Sequence, residues 1–239
     1  MSLVTTVLTI TDRLPYLKSQ IKSIEDQTIK SNILIHWNND TDYTLKYPAI
    51  IYKNQHKSKP LYDRFISSLN ISTPYTFICD DDILPGKKYL EKCIEFSKDK
   101  NVCIVSCGMN FKEGETEYKV NERIGQNTFL TSPTQVHMGG QGYFFRTSLL
   151  RKFCEAKLHD LQYGEDIHLG FICWLNNIPM YVLDKNKNNK DTWQDLNLGI
   201  NGDDNNAQWR YPTHKPVRSK LIKIYNQLGW KFDNYKSLL

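Results

Sequence analysis

Short apolar runs alternate with stretches of helical spacing over the first eighty residues. Val4–Ile10 is a run of β-branched and leucine side chains that suits a buried strand. Helical spacing follows at Leu14, Leu17, Ile21 and Ile24. Alternation of this kind predicts an α/β protein with a mostly parallel sheet flanked by helices. The same pattern predicts strands at Ile33–Trp37, Ala49–Tyr52 and Tyr75–Cys79 and a helix that opens at Pro60.

The second half of the chain has a looser pattern. The glycine-rich segment 139–142 is expected to be a loop, or backbone that approaches a ligand closely. A helix is expected to begin at Asp166, and a last helix covers roughly Val217–Leu228, with Gly229 as its C-cap. The segment Asp184–Asp191 consists almost entirely of charged residues and asparagine, which predicts a mobile loop.

Composition places the chain among globular proteins and excludes several classes. Its 239 residues are 40% hydrophobic, which argues against disorder, and no apolar run reaches the roughly 18 residues of a membrane span. The apolar N-terminus lacks the features of a signal peptide, so we expect a cytoplasmic protein with free thiols. The net charge of +5 is too diffuse to indicate nucleic-acid binding, although it suits an anionic small molecule. Because no internal repeat is visible, we expect one domain, residues 1–239.

Three consecutive aspartates follow the predicted strand Tyr75–Cys79. The carboxylates of Asp80, Asp81 and Asp82 repel one another when they are held close together, so a cation would stabilise them. One or two carboxylates together with substrate phosphates suit Mg²⁺ or Mn²⁺. An acidic turn exposed to solvent is the alternative explanation.

Further acidic and basic groups lie where a reaction centre could use them. Glu165 and Asp166 stand before a helical pattern, where a carboxylate either caps the helix or accepts a proton from an acceptor hydroxyl. Arg64 lies on the helix before the aspartates. A second basic cluster comprises Arg210, His214, Lys215 and Arg218. Such cations either neutralise a departing diphosphate or form an ordinary solvated face.

Several segments, in order along the chain, resemble motifs of known glycosyltransferases. Ser23–Thr28 resembles the S-[IV]-x-x-Q-[TS] helix end of the large inverting GT-A family. The match is closer to the exostosin-like N-acetylhexosaminyltransferases. Their V-x-W-N-N, DDD-[TI]-L and D-D-I-x-x-x-F motifs resemble Ile35–Asn39, Asp80–Leu84 and Glu165–Phe171, and Trp209–Tyr225 is similar to their C-terminal W-x-R…H…R run.

The resemblance implies a GT-A fold, which is a Rossmann-like nucleotide-sugar-binding α/β fold. It implies a hexosyl- or N-acetylhexosaminyltransferase that uses a UDP-sugar donor, a carbohydrate or other hydroxyl acceptor, and Mn²⁺ or Mg²⁺. Residues 1–110 would form the nucleotide-binding half and residues 111–239 the acceptor-binding half. The implied catalytic residues are Asp166, Glu165 and Arg218. The implied nucleotide contacts are Thr11, Asn38, Asn39, Arg64, Asp80, Asp81 and Arg218. The implied metal ligands are Asp82, Asp80 and His214.

Two departures and two alternatives accompany this interpretation. The exostosin-like enzymes have an aspartate where this chain has Glu165, and they are secretory-pathway proteins, whereas this chain shows no leader or anchor. A sugar nucleotidyltransferase is the second enzyme class, but Thr11–Leu14 contains no glycine for a phosphate loop. A nucleotide- or carbohydrate-binding protein without turnover is the non-enzymatic alternative. The resemblance leaves inversion and retention of the sugar configuration both open.

Overall fold

The structure, a computed structural model, describes residues 2–10, 13–38, 47, 49–53, 60–119, 123–126, 128–157, 159, 163–192, 194–195 and 208–232. No helix in these ranges has the length and apolar character needed to cross a bilayer.

Within the described ranges the chain forms strands β1 to β10 and helices α1 to α6. The strands, in chain order, are β1 Val4–Ile10, β2 Ser31–Trp37, β3 Ile50–Lys53, β4 Tyr75–Cys79, β5 Leu84–Pro85, β6 Cys103–Met109, β7 Thr134–Val136, β8 Met138–Arg146, β9 Met180–Val182 and β10 Gln194–Asp195. The helices are α1 Leu17–Glu25, α2 Pro60–Ile66, α3 Tyr89–Ser97, α4 Ser148–Glu155, α5 Glu165–Leu175 and α6 His214–Gln227. Short 3₁₀ segments occupy Leu14–Tyr16, Lys190–Thr192 and Gln208–Arg210.

Eight strands form one mostly parallel sheet in the order β3-β2-β1-β4-β8-β6-β9-β7. The four strands β3, β2, β1 and β4 are mutually parallel, and β8 is antiparallel to both of its neighbours. The short strand β5, which follows the three aspartates, forms a separate antiparallel pair with β10. The predicted α/β class, with one domain built on a mostly parallel sheet, is confirmed.

Both faces of the sheet are covered by helices, and this explains the continuous apolar runs in its central strands. On one face, Leu8 and Phe77 pack with side chains of α1 and α3. On the other face, Val7 and Ile78 pack with side chains of α2, α4, α5 and α6. Polar groups therefore gather where the strands end, and in parallel sheets the carboxyl ends share one edge.

The glycine-rich segment 139–142 is part of strand β8, and the expectation of a loop there is wrong. Gly142 pairs with Cys79 at the end of β4, and Gly139 pairs with Gly108 of β6. A Cβ at Gly139 would overlap the side chain of Val105, so close packing of β6 on β8 requires the glycine. At Gln141 the backbone has φ 71°.

Candidate functional site

The three aspartates form a turn at the carboxyl end of β4 that is fixed from both sides. The backbone N–H of Asp80 donates to the carbonyl oxygen of Gln141 at 2.9 Å, which continues the pairing with β8. The buried amide of Gln20, on α1, donates to the carbonyl oxygens of Asp80 at 2.6 Å and Ile83 at 3.2 Å. Because the turn is held through its backbone, its carboxylates remain available for other partners.

Arg13 neutralises part of the charge on this turn. Its Nη1 lies 2.6 Å from Oδ1 of Asp81 and 3.1 Å from Oδ2 of Asp82. Burial, and then the neighbouring charges of Asp80 and Asp81, nevertheless raise the pKa of Asp82 to about 7, although Arg13 acts in the opposite direction. Arg13 therefore offsets only part of the effect that burial and the neighbouring carboxylates have on Asp82.

Arg64, on α2, connects this turn to the start of α5. Its Nη1 pairs with Oδ1 of Asp80, and its Nη2 lies 3.2 Å from Oε1 of Glu165. Only 1% of Arg64 is exposed, and its guanidinium lies over the ring of Tyr143 at 5.4 Å. In the described part of the chain, carboxylates occupy both terminal nitrogens of this guanidinium. The uridine contact implied for Arg64 stays a prediction.

A second buried ion pair joins α5 to α6. Nη2 of Arg218 lies 2.6 Å from Oδ2 of Asp166, and only 4% of Arg218 and 8% of Asp166 are exposed. The other carboxylate oxygen, Oδ1 of Asp166, accepts the backbone N–H of Ile167 at 2.8 Å. Both oxygens of Asp166 therefore have donors that fix the orientation of the carboxylate.

Glu165 and Asp166 are adjacent carboxylates that two different arginines hold. Burial, and then the charge of Asp166, raise the pKa of Glu165 to about 7, while Arg64 and Arg218 oppose the shift. Oε2 of Glu165 is buried and has no hydrogen-bond partner among the described residues. This orphaned acceptor belongs to the first residue of α5.

The cluster contains more carboxylates than guanidinium groups. Five carboxylates (Asp80, Asp81, Asp82, Glu165 and Asp166) form ion pairs with three guanidinium groups (Arg13, Arg64 and Arg218). A fourth guanidinium, that of Arg123, also interacts electrostatically with Asp166, so five carboxylates and four guanidinium groups leave one negative charge when every group is ionised. Among the described residues, no group of three or more histidine, cysteine or acidic side chains has the arrangement of a metal site. A site with one or two carboxylates, completed by substrate phosphates, is the arrangement that remains consistent with this finding.

The structure places the other predicted residues in different surroundings. His214 is the first residue of α6, and burial, then Arg218, lower its pKa to about 4, which leaves a neutral imidazole. Its ring packs on Tyr163 and Tyr118, and no contact joins it to Asp82 in the described part of the chain. Asn38 follows β2, where its backbone N–H donates to the carbonyl oxygen of Ile10 at 2.8 Å. Thr11 and Asn39 lie outside the described residues.

Two basic residues of the predicted C-terminal cluster are exposed, unlike Arg218. Arg210 and Lys215 are exposed, and Arg210 lies over the ring of Trp209 at 4.8 Å. Sequence reasoning missed Arg13 and Gln20, both of which contact the aspartate turn. Helical spacing placed Leu17 and Ile21 on the buried face of α1, and the same spacing could have placed Gln20 there.

Comparison with known proteins places this site in a family. The model of the glycosyl transferase family 64 domain matches residues 2–173, a range that contains all five carboxylates and ends within α5. None of the curated proteins compared matches the chain.

Solved structures with a similar fold include TarS of S. aureus. TarS superimposes with a TM-score of 0.57 and 16% identity over 78% of this chain and 36% of TarS. TarS 1-349 in complex with UDP-GlcNAc and in complex with UDP each give a TM-score of 0.56 and 14% identity over 78% of this chain, and 57% and 59% of those chains, respectively. This chain therefore spans between about a third and three fifths of the length of these structures. The likeness shows a shared fold.

Proposed function

The chain belongs to the glycosyl transferase family 64 domain, and from this premise we propose that it is a metal-dependent glycosyltransferase that moves a sugar from a UDP-sugar to a hydroxyl group of a carbohydrate or other acceptor. One observation carries the proposal: the two ionic contacts of buried Arg64, with Asp80 and with Glu165, bring Asp80–Asp82 and Glu165–Asp166 into one cluster where the strands end. Ligands of open α/β sheets bind at this edge.

The donor is proposed to be a UDP-sugar that residues 1–110 bind. Structures of the similar protein TarS in complex with UDP-GlcNAc and UDP support this nucleotide. Asn38, Asp80 and Asp81 lie at the ends of β2 and β4, which are the positions proposed to meet the nucleoside. Residues 111–239 are proposed to bind the acceptor, and the transferred group is proposed to be a hexosyl or N-acetylhexosaminyl unit.

Asp82 and Asp80 are proposed to hold Mn²⁺ or Mg²⁺ together with the diphosphate. When bound, the cation supplies positive charge that stabilises the diphosphate as a leaving group. The raised pKa of Asp82, caused by burial and then by the charges of Asp80 and Asp81, supports this assignment. His214, implied as a third ligand, contributes a neutral ring next to Arg218 and Asp166.

Asp166 is the proposed catalytic carboxylate, and Arg218 is the proposed diphosphate contact. The ion pair with Arg218 and the hydrogen bond from Ile167 keep Asp166 oriented. A carboxylate in such a position can accept the proton of the acceptor hydroxyl or stabilise an oxocarbenium-like transition state. Nε of Arg218 is buried and has no partner among the described residues, so it is able to donate to a phosphate oxygen.

A panel of UDP- and GDP-sugars, assayed for nucleotide release with and without Mn²⁺, tests the proposal. We expect metal-dependent UDP release from at least one UDP-sugar, and the anomeric configuration of the product will distinguish inversion from retention. Asp166→Asn should retain UDP binding and lose turnover, whereas the exposed-site variant Lys215→Met should behave as wild type. UDP binding without turnover would favour a binding protein instead, and neither binding nor turnover by folded protein would contradict the proposal.

A further inference from the structure

Arg64 is the side chain that physically joins the two acidic segments of the site. It belongs to α2, yet its two terminal nitrogens bind Asp80 at the end of β4 and Glu165 at the start of α5. These two carboxylates are 85 residues apart in sequence (165 minus 80), so the position of one relative to the other depends on a tertiary contact.

The surroundings of Arg64 allow its side chain little freedom. The guanidinium lies between carboxylates and the rings of Tyr143 at 5.4 Å and Phe65 at 5.7 Å. Its backbone carbonyl accepts the hydroxyl groups of Ser67 at 3.1 Å and Ser68 at 2.6 Å, which fixes the end of α2. A planar guanidinium can bind two carboxylates from fixed directions, whereas the single ammonium of a lysine cannot reproduce that fork.

The position of Glu165 is transmitted to Asp166, its neighbour in the first turn of α5. Gly164 precedes both residues with φ 96°, and a Cβ there would overlap Leu221 of α6, so the backbone entering the helix is tightly constrained. A shift of the Glu165 carboxylate would therefore move the start of the helix that carries Asp166.

We propose that Arg64 is a positioning residue for sugar transfer: through Asp80 and Glu165 it sets the distance between the Asp80–Asp82 turn and the carboxylate of Asp166. Arg64 acts on turnover in this way without contact with the transferred sugar. The inference rests on the proposed function. It assigns Glu165 the role of an ion-pair partner of Arg64 instead of a second catalytic base.

Kinetics of Arg64→Lys, Glu165→Gln and the double variant test this assignment. The substrate is the UDP-sugar that wild type turns over fastest, and urea unfolding verifies that each variant is folded. Each single variant should lower kcat about 10- to 100-fold, because small displacements of reacting groups cost this much. Because a positioning residue does not bind the donor, the donor KM should stay within about 3-fold of wild type, whereas the uridine contact that the resemblance implies for Arg64 would raise it. The double variant should be no slower than the slower single variant, since both changes break one contact.

Matched controls separate this role from general destabilisation. Arg146→Lys changes an arginine that donates to the carbonyl oxygens of Ser97 and Lys98 and lies over the ring of Tyr75 at 5.4 Å. Glu91→Gln changes a glutamate that accepts a hydrogen bond from Thr28. Both controls should keep the wild-type kcat. If Arg64→Lys does not fold, Arg64→Gln replaces it, because a loss of kcat in Glu165→Gln alone would also fit a catalytic role of Glu165.

The outcomes distinguish failure of the inference from failure of the proposed function. Wild-type kcat in Glu165→Gln, additive losses in the double variant, or a raised donor KM with unchanged kcat would each overturn the positioning role while wild type remains active. Absence of turnover in folded wild type would overturn the proposed function and, with it, this role.

Discussion

Removal of the guanidinium of Arg218 is the perturbation whose cost follows most directly from the structure. Arg218→Met keeps an unbranched apolar stem near the ring of Tyr118 but leaves Asp166 without the donor that lies 2.6 Å away. Asp166 is 8% exposed, so water cannot replace the lost partner fully. Breaking a buried ion pair by removing one partner costs about 3–5 kcal/mol. At about 2–4 °C per kcal/mol for a chain of this size, the melting temperature should fall by about 6–20 °C.

A second substitution tests the cause of this loss. In the Arg218→Met background, Asp166→Asn removes the stranded charge and keeps an acceptor for the N–H of Ile167. The double variant should therefore be more stable than Arg218→Met alone, and its loss should be smaller than the sum of the two single losses by about 0.5–3 kcal/mol, the coupling typical of residues in direct contact.

Urea unfolding, followed by tryptophan fluorescence, measures these differences in the free energy of unfolding. Lys215→Met is the matched control, since Lys215 is an exposed cation on the same helix and its substitution should change stability by about 0.5 kcal/mol or less. A loss below about 1 kcal/mol for Arg218→Met, or a double variant less stable than the single one, would refute the argument that the buried pair is mutually dependent.

Two further predictions concern the packing around the site. Burial lowers the pKa of His168 to about 4, whereas the unfolded chain titrates near 6.5, so the unfolded state alone takes up a proton between these values. The contribution of His168 to the free energy of unfolding is therefore fully present above pH 6.5 and should fall, by up to about 3 kcal/mol, as the pH drops towards 4. Urea unfolding at pH 7 and at pH 5 should show a smaller difference in this free energy for His168→Gln than for wild type. Gly139→Ala should destabilise the protein by about 1–3 kcal/mol because the new methyl group meets Val105, whereas Gly140→Ala, with its nearest contact at 3.7 Å from Sγ of Cys107, should cost little; equal melting temperatures for the two variants would contradict this account.

The central strands could be predicted from sequence because they are buried on both faces. β1 and β4 have the predicted bounds, Val4–Ile10 and Tyr75–Cys79, since such strands appear as continuous apolar runs. β8 could not be predicted, because glycine residues usually weaken a strand. The reason for a glycine at position 139 is the side chain of Val105 on the neighbouring strand β6, and that contact is visible only in the structure.

The charged segment Asp184–Asp191 illustrates a second limit of the sequence. Its composition predicted a mobile loop, but Asp184 pairs with Lys92 at 2.9 Å and Asp191 pairs with Lys87 at 3.2 Å. The backbone carbonyl oxygen of Asp191 also accepts a hydrogen bond from the backbone N–H of Lys88 at 2.7 Å. Local composition indicates an irregular segment correctly, whereas partners about a hundred residues away follow only from the fold.

The candidate site shows the same division. Asp80, Asp82 and Asp166 could be singled out because carboxylates after a strand or before a helix are visible in sequence. The pairing of Asp166 with Arg218, and of Arg64 with both Asp80 and Glu165, depends on the packing of α2, α5 and α6 around one sheet edge. Sequence order contains no signal for such contacts.

Calorimetric titration of UDP, with and without Mn²⁺, tests the central claim most directly when wild type and Asp82→Ala are compared. Wild type should bind UDP more tightly with Mn²⁺ than without it. In the presence of Mn²⁺, Asp82→Ala should bind UDP at least about 10-fold more weakly than wild type. Asp26→Ala removes an exposed carboxylate of the surface and should bind as wild type does. Equal UDP affinity with and without Mn²⁺, or unchanged metal dependence in Asp82→Ala, would contradict the account.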